Sequence, residues 1–343
     1  MATRVLHWRR PYLALLAAAG LLLLLDLFGV IQHMRELDYE TRFTYPLDSD
    51  VGYYVELLLG GQQSPVTPLN THQFRYLSEA RHRCAGEDPL RLLLVVKSAV
   101  DHFDQRRVIR RSWASQRPDV RHVFLLGTRA GQPRLQTAVA READEFGDVV
   151  QAHFEDSYFN NTLKTMSGMR WAVEQCGGAE HVLFADDDMY VSVVNVLRLV
   201  AAPRTYPATG GEPSRPDVPL MAGYVFHSSP LRQRFSKWYI SVEEYPFNQW
   251  PPYCTAGAYL LSRSALRRIL YTSYYTKMFR FDDIYIGLVA KKAGMEPVHT
   301  EHIHFWERPY DAHGYRDVVA SHGFHDPDRL LAVWQEQHRL GRA

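Results

Sequence analysis

Short apolar runs alternate with amphipathic stretches from residue 90 to residue 191, and this alternation restricts the fold more than any other feature of the chain. Leu90 to Val100, Val120 to Gly127, Val149 to Phe154 and His181 to Ala185 read as strands. Between them, Asp104 to Gln116 carries Ile109 and Trp113 at helical spacing, and Pro133 to Phe146 is closed by Gly147. Thr162 to Cys176 places Leu163, Met166, Met169 and Val173 on one stripe and stops at Gly177-Gly178. A strand, helix, strand order requires crossover connections, which gives an α/β fold with a mostly parallel sheet and helices on both faces. The runs are almost unbroken in apolar character because both faces of such a sheet are covered. No G-x-G-x-x-G or Walker sequence is present, which removes the ordinary dinucleotide and P-loop readings.

Ligands of such sheets bind beyond the carboxyl ends of the strands. Asp186, Asp187 and Asp188 stand at that end of the fourth run. Three adjacent like charges repel one another and favour a compensating cation, and oxygen ligands suit Mg²⁺ or Mn²⁺ and, through it, a diphosphate. The competing reading is a strand-to-helix turn capped by Asp188. A second pair, Asp282-Asp283, is by itself no more than a helix cap, but it supplies the base that a metal-assisted transfer to a hydroxyl needs.

Beyond Val191 the pattern is mixed, with an exposed loop expected over residues 203–219 and a strand over Leu220 to Phe226. Thr255-Ala256-Gly257-Ala258 is either a place of close backbone approach to a ligand or a tight turn before a strand from Tyr259 to Ser262. The three cysteines, Cys84, Cys176 and Cys254, leave at least one thiol unpaired, and their spacing names neither a pair nor a zinc site. The 16 histidines are expected mostly on the surface or as satisfied interior groups.

The amino terminus carries a different signal. Tyr12 to Ile31 has about the ~20 residues needed to cross a bilayer, and Arg4, Arg9 and Arg10 precede it. A type II signal anchor over residues 12–31 is expected, with a cytoplasmic tail of 1–11, a stem of 32–88 and a lumenal domain of 89–343. Asp26 favours a cleaved signal peptide instead, but no small-x-small site follows. A formal net charge of +1 and the lack of a basic block argue against nucleic acid as a partner.

Taken in order, several segments resemble the β-1,3-glycosyltransferases of glycosyltransferase family 31. They are Arg106 to Trp113, Phe124 to Gly127, Asp156 to Thr165, the acidic triplet, Pro252-Tyr253 with Gly257, and Asp282 to Gly287. Phe235 to Tyr239, Glu243 to Phe247, Trp250 to Tyr253 and the segment Glu36 to Leu47 are similar to one invertebrate branch of that family. The resemblance implies a GT-A fold, a Golgi membrane location, Mn²⁺ or Mg²⁺, a UDP-sugar donor and inversion at the anomeric carbon. It assigns Asp186 and Asp188 to metal and nucleotide, with His299 as a further metal ligand, and Asp283 to the catalytic base. Lys97, Arg106, Arg110, Asp156, Asp187 and Gly257 would line the donor side.

The branch implies N-acetylglucosamine as the donor sugar and a mannose-terminated glycolipid as acceptor. The wider family also admits galactose transfer to glycolipid or glycoprotein. Asn160, in Asn-Asn-Thr, is either a glycosylated sequon or a structural residue at a helix start. From other classes, a non-catalytic carbohydrate-binding protein and a metal-dependent phosphohydrolase remain as alternatives.

Overall fold

The computed structural model describes residues 2–44, 51–86, 89–115 and 117–343, with side chains from residue 12 onward. The chain divides into two compact units, one of residues 1–45 with 227–251 and one of 46–226 with 252–343.

Among the described residues, the larger unit holds every strand. In chain order these are β1 (Tyr76–Glu79), β2 (Leu92–Lys97), β3 (Val120–Thr128), β4 (Val149–Glu155), β5 (His181–Asp186), β6 (Tyr190–Val191), β7 (Met221–Phe226), β8 (Tyr253–Ser262), β9 (Val298–His299), β10 (Ile303–Glu307) and β11 (Ala320–His322). Eight form one sheet in the order β1-β4-β3-β2-β5-β8-β7-β9, and β10-β11-β6 form a second. The pairs among β4, β3, β2 and β5 are parallel, whereas β1, β8 and β7 join antiparallel.

The alternation read from the sequence is therefore present as a mostly parallel mixed sheet. Its helices are Phe103–Arg111, Pro133–Phe146 and Asn161–Gln175, and the expected end of the first, Gln116, lies outside the described residues. Leu92, Leu94 and Val96 share one core with Ile109 and Trp113. On the opposite face the helix Asn161–Gln175 sits so close to the sheet that a methyl group at Gly168 would come within 2.5 Å of Leu125. Both faces are covered, as an all-apolar central strand requires.

The expected stem is not structureless. The helix Val51–Leu59 packs Val51 and Val55 against Tyr275, β1 adds an edge to the sheet, and a disulfide joins Cys84 to Cys176. The Val51, Val55, Leu58 spacing was masked by the Gly- and Pro-rich stretch that follows it. Residues 51–86 thus belong to the folded unit, which does not begin at Pro89. Cys254 is buried and unpaired, so the structure makes the choice among the three cysteines that spacing left open.

The smaller unit is built on Arg232, which is fully buried. Its guanidinium donates to Glu36 Oε1 at 2.7 Å and to the carbonyls of Ile240, Tyr245 and Phe247 at 3.0, 2.8 and 3.0 Å. Leu37 N donates to Pro246 O and Asn248 N to Leu37 O, so two segments distant in sequence run side by side. The two stretches that carry the closer resemblance, 36–44 and 243–250, are packed on one another; the remainder of the first, to Leu47, lies outside the described residues. The helix Ala2–Leu27 ends short of Ile31 because Gly29 takes a left-handed φ of 82°, where a Cβ would lie 2.7 Å from the Arg232 backbone. Among the described residues no helix is long and apolar enough to cross a membrane.

The disulfide closes a loop across 92 residues of sequence, and removing such a crosslink costs about 2–5 kcal/mol. Cys84→Ser is expected to lower the urea midpoint, and dithiothreitol should shift the wild type to the same midpoint.

Candidate active site

The parallel register of β2 and β5 sets Lys97 directly opposite Asp186 at the carboxyl edge. Lys97 Nζ lies 3.0 Å from Asp186 Oδ1 and 3.0 Å from Asp282 Oδ2, with its side chain only 3% exposed. Asp282 also accepts from Thr165 Oγ1 at 2.9 Å. One buried ammonium thus ties the acidic end of β5 to the first turn of the helix Asp282–Lys292. Burial pushes the Asp186 carboxyl up to about 7 against the pull of Lys97, while the two carboxylates raise Lys97 well above its usual value despite its own burial.

Asp187 turns the other way. Its Oδ2 accepts from Ser98 Oγ at 2.6 Å and from Ala99 N at 3.3 Å, and lies 2.9 Å from His102 Nδ1. That contact raises the His102 pKa against partial burial. Asp156 pairs with Lys164 at 2.7 Å, and Lys164 Nζ donates to Ser98 O at 2.9 Å. Lys97, Ser98, His102, Asp156, Tyr158, Lys164 and all three acids of the triplet line one cavity of about 430 Å³. It is large enough for a nucleotide-sized ligand and has cations beside carboxylates in its wall.

Asp188 meets two histidines that sequence reasoning set aside. His322 Nε2 lies 3.0 Å and His325 Nδ1 3.3 Å from its Oδ2, and the candidate ligand atoms of the three residues lie within 4.8 Å of one another. Its other oxygen, Oδ1, is buried with no hydrogen-bond partner. An orphaned carboxylate oxygen beside two imidazoles fits a divalent cation that accepts oxygen and nitrogen, as Mn²⁺ does. The signal available in the sequence was His322-Gly-Phe-His325, two histidines three apart. Spacing alone could not bring them to Asp188, from which they are separated by more than a third of the chain.

Three expected site residues lie elsewhere. His299 sits on β9, where its Nδ1 accepts from Val225 N at 3.1 Å, and it is not among the residues gathered at Asp188. Arg106 is fully buried, forked onto Glu142 at 2.7–3.1 Å, and donates to Ser98 Oγ and Ala99 O at 3.0 and 2.7 Å. Arg110 spends its donors on Asp148 and Glu142. Arg106 braces the loop after β2 from behind, and Arg110 ties Glu142 to Asp148, because a buried guanidinium must satisfy its donors within the fold.

Gly257 lies inside β8, which starts at Tyr253 and not after a turn, and a methyl group there would meet Met189 Sδ at an ordinary 3.4 Å. Asn160 donates its side-chain amide to Glu155 O at 2.7 Å, so the nitrogen that a glycan would occupy is used in holding the turn before the helix Asn161–Gln175.

Asp283 is half-buried in the first turn of its helix, with Oδ1 accepting from Ile284 N at 2.8 Å. Burial, aided by the charge of Asp282, pushes its carboxyl up to about 7. A carboxylate poised near neutrality is suited to take a proton and to release it again.

The chain matches the family model described as galactosyltransferase over residues 104–301. It is 42% identical over 333 residues to the β-1,3-galactosyltransferase brn of Drosophila melanogaster, covering 96% of each chain. It is 30% identical over 273 residues to human β-1,3-galactosyltransferase 1, covering 78% of this chain and 80% of that one. A human acetylgalactosaminyl-O-glycosyl-glycoprotein β-1,3-N-acetylglucosaminyltransferase is 34% identical over 283 residues, covering 77% of this chain and 71% of that one. Among solved structures, the apo form of mouse xyloside xylosyltransferase 1 aligns at a TM-score of 0.32 with 13% identity, covering 68% of this chain and 97% of that one.

Imidazole binds a cation only when neutral, and the hydrogen bond to Asp188 holds the His322 pKa above its usual value, so protons compete with a cation there. Mn²⁺ affinity measured by titration calorimetry should therefore rise with pH, with proton release. His322→Ala should weaken it by about tenfold or more.

Proposed function

Because this chain belongs to the galactosyltransferase family, as a β-1,3-glycosyltransferase of glycosyltransferase family 31, we propose that it transfers a hexose unit from a UDP-sugar to a glycan hydroxyl with inversion, using Asp283 as base. The observation that carries this reading is the Lys97 bridge, which ties Asp186, two residues before the proposed cation ligand Asp188, to Asp282, the neighbour of the proposed base. In the mechanism that follows, the acceptor oxygen attacks the anomeric carbon as its proton passes to Asp283. Oδ2 is the proposed receiving atom, since Oδ1 is held by Ile284 N. The bond from the sugar to the diphosphate breaks on the opposite face, and UDP departs.

A Mn²⁺ or Mg²⁺ ion held by Asp188 with His322 and His325 would supply charge stabilisation for the departing diphosphate. Lys164 adds positive charge within the same cavity, and Asp187, fixed by Ser98 and Ala99, orients the wall beside it. Asp186 stays engaged with Lys97, so its contribution is to position the strand end.

N-acetylglucosamine is the proposed donor sugar and a glycolipid ending in mannose the proposed acceptor, following the branch to which the chain is most similar in its 36–44 and 243–250 segments. The 42% identical Drosophila relative, named a β-1,3-galactosyltransferase, favours a second reading, galactose as the donor sugar. Location in the Golgi membrane as a type II protein is part of the proposal. It is supported by the disulfide, which needs an oxidising compartment, and by the outward-facing leucines of the first helix, from Leu13 to Leu24.

The test is UDP release by the full chain with Mn²⁺, comparing UDP-N-acetylglucosamine with UDP-galactose on mannosyl and galactosyl glycolipids. Acceptor-dependent release from one donor decides the sugar. Acceptor binding with no release from either donor would leave a carbohydrate-binding protein, and phosphate in place of UDP would mean a phosphohydrolase. Asp283→Asn should retain UDP binding and lose roughly 10²- to 10⁴-fold in turnover. Since the base works only when ionised, wild-type kcat/KM should fall about tenfold per pH unit below about 7 and level off above it. A flat profile down to pH 5 would remove Asp283 from that role.

A further inference from the structure

An aromatic cluster on the same sheet edge has no part in the chemistry described above. Tyr224 and Phe226 of β7 pack against Phe305 of β10 at ring separations of 4.8 and 4.5 Å. Trp306 joins them at 6.0 and 6.4 Å, yet remains 57% exposed. A large ring that is fixed by its neighbours on one side and open on the other is an unusual use of tryptophan, because exposing it leaves apolar surface in water.

Two connections fix where this ring stands. Trp306 immediately precedes Glu307, whose register partner on β11 is His322, the residue 3.0 Å from Asp188. On the other side Phe226 pairs with Tyr253 across β7 and β8 and stacks on it at 6.0 Å with an interplanar angle of 20°. Tyr253 in turn lies against Gly287, where a methyl group would come within 2.5 Å of the tyrosine Cβ. Gly287 is four residues after Asp283 and so lies on the same face of their helix. The cluster therefore joins the Asp188–His322 side of the site to the face of the helix that carries the base.

We propose that Trp306, backed by Phe305, Phe226 and Tyr224, is the platform on which the apolar face of the acceptor hexopyranose stacks. The inference rests on the glycosyl-transfer reading above. A pyranose in its chair form presents a face of C–H groups that an indole covers well, while its hydroxyls remain at the ring edge for the base and for water. Donor binding needs cations and a metal, none of which the platform supplies, so the ring discriminates the sugar that receives from the one that is given.

The test uses the full chain and two variants, Trp306→Ala and Trp306→Tyr, with unchanged melting temperature as the folding control. Trp306→Ala should raise the acceptor KM by about tenfold or more while the KM for UDP-sugar and the acceptor-independent hydrolysis of UDP-sugar stay as in the wild type. Trp306→Tyr, which keeps a flat ring, should recover most of the loss. Binding of a methyl hexoside, followed by saturation-transfer NMR, should disappear in Trp306→Ala. An unchanged acceptor KM in that variant, or an equal rise in donor KM, would overturn the platform and leave the transfer reading intact. Hexoside binding that depends on Trp306 in a protein that transfers no sugar would overturn the transfer reading and leave the platform.

Discussion

A single buried ammonium organises this molecule. Lys97 sits at the end of the central strand, and its charge is tolerable inside the protein only because Asp186 and Asp282 both lie 3.0 Å away. Removing it would leave the buried Asp282 carboxylate without a counter-charge, a loss on the order of 3–5 kcal/mol, and the half-buried Asp186 without its partner. The same constraint is what makes the site possible. Two acidic clusters separated by almost a hundred residues repel each other unless a cation holds them, and Lys97 does so without using either Asp188 or Asp283. The residues adjacent to each anchor are therefore left available, one for a metal and one for a proton.

The arginines show a related division of labour. Arg106 and Arg110 carry charge close to the cavity but direct it into Glu142 and Asp148, and the strong pairing holds Asp148 far below the usual carboxylate range. Through Ser98 and Ala99, Arg106 fixes the loop whose hydroxyl and amide in turn hold Asp187. A rigid wall behind the cavity keeps its lining residues in place without contacting a ligand. In the smaller unit Arg232 plays the corresponding part, closing four acceptors from residues 36, 240, 245 and 247 around one guanidinium.

Much of this was legible from local pattern. Continuous apolar runs marked the central strands, and the alternation with helices forced a parallel sheet whose carboxyl edge had to carry the acids. Asp156, Asp187 and Lys97 line one cavity because each follows or ends such a run. The failures share a cause. Arg106 and Arg110 were read as facing the donor because the charge of a side chain says nothing of which way it points. His299 was chosen by its distance along the chain after Asp283, and strand β9 carried it to Val225 instead. The segment 51–86 looked like a stem because its helix is short and its strand lies on an edge, where burial is partial and periodicity faint.

The sequence by itself determined the class of fold, the sheet edge at which the acids stand and the family to which the chain belongs, because these follow from periodicities and from motifs whose members are close neighbours. Tertiary structure alone decided which histidines meet Asp188, which cysteine pairs with Cys176, and that an exposed tryptophan adjoins the site. Each of those contacts joins residues brought together only by strand register or helix packing, and distance along the chain carries no information about distances across a sheet.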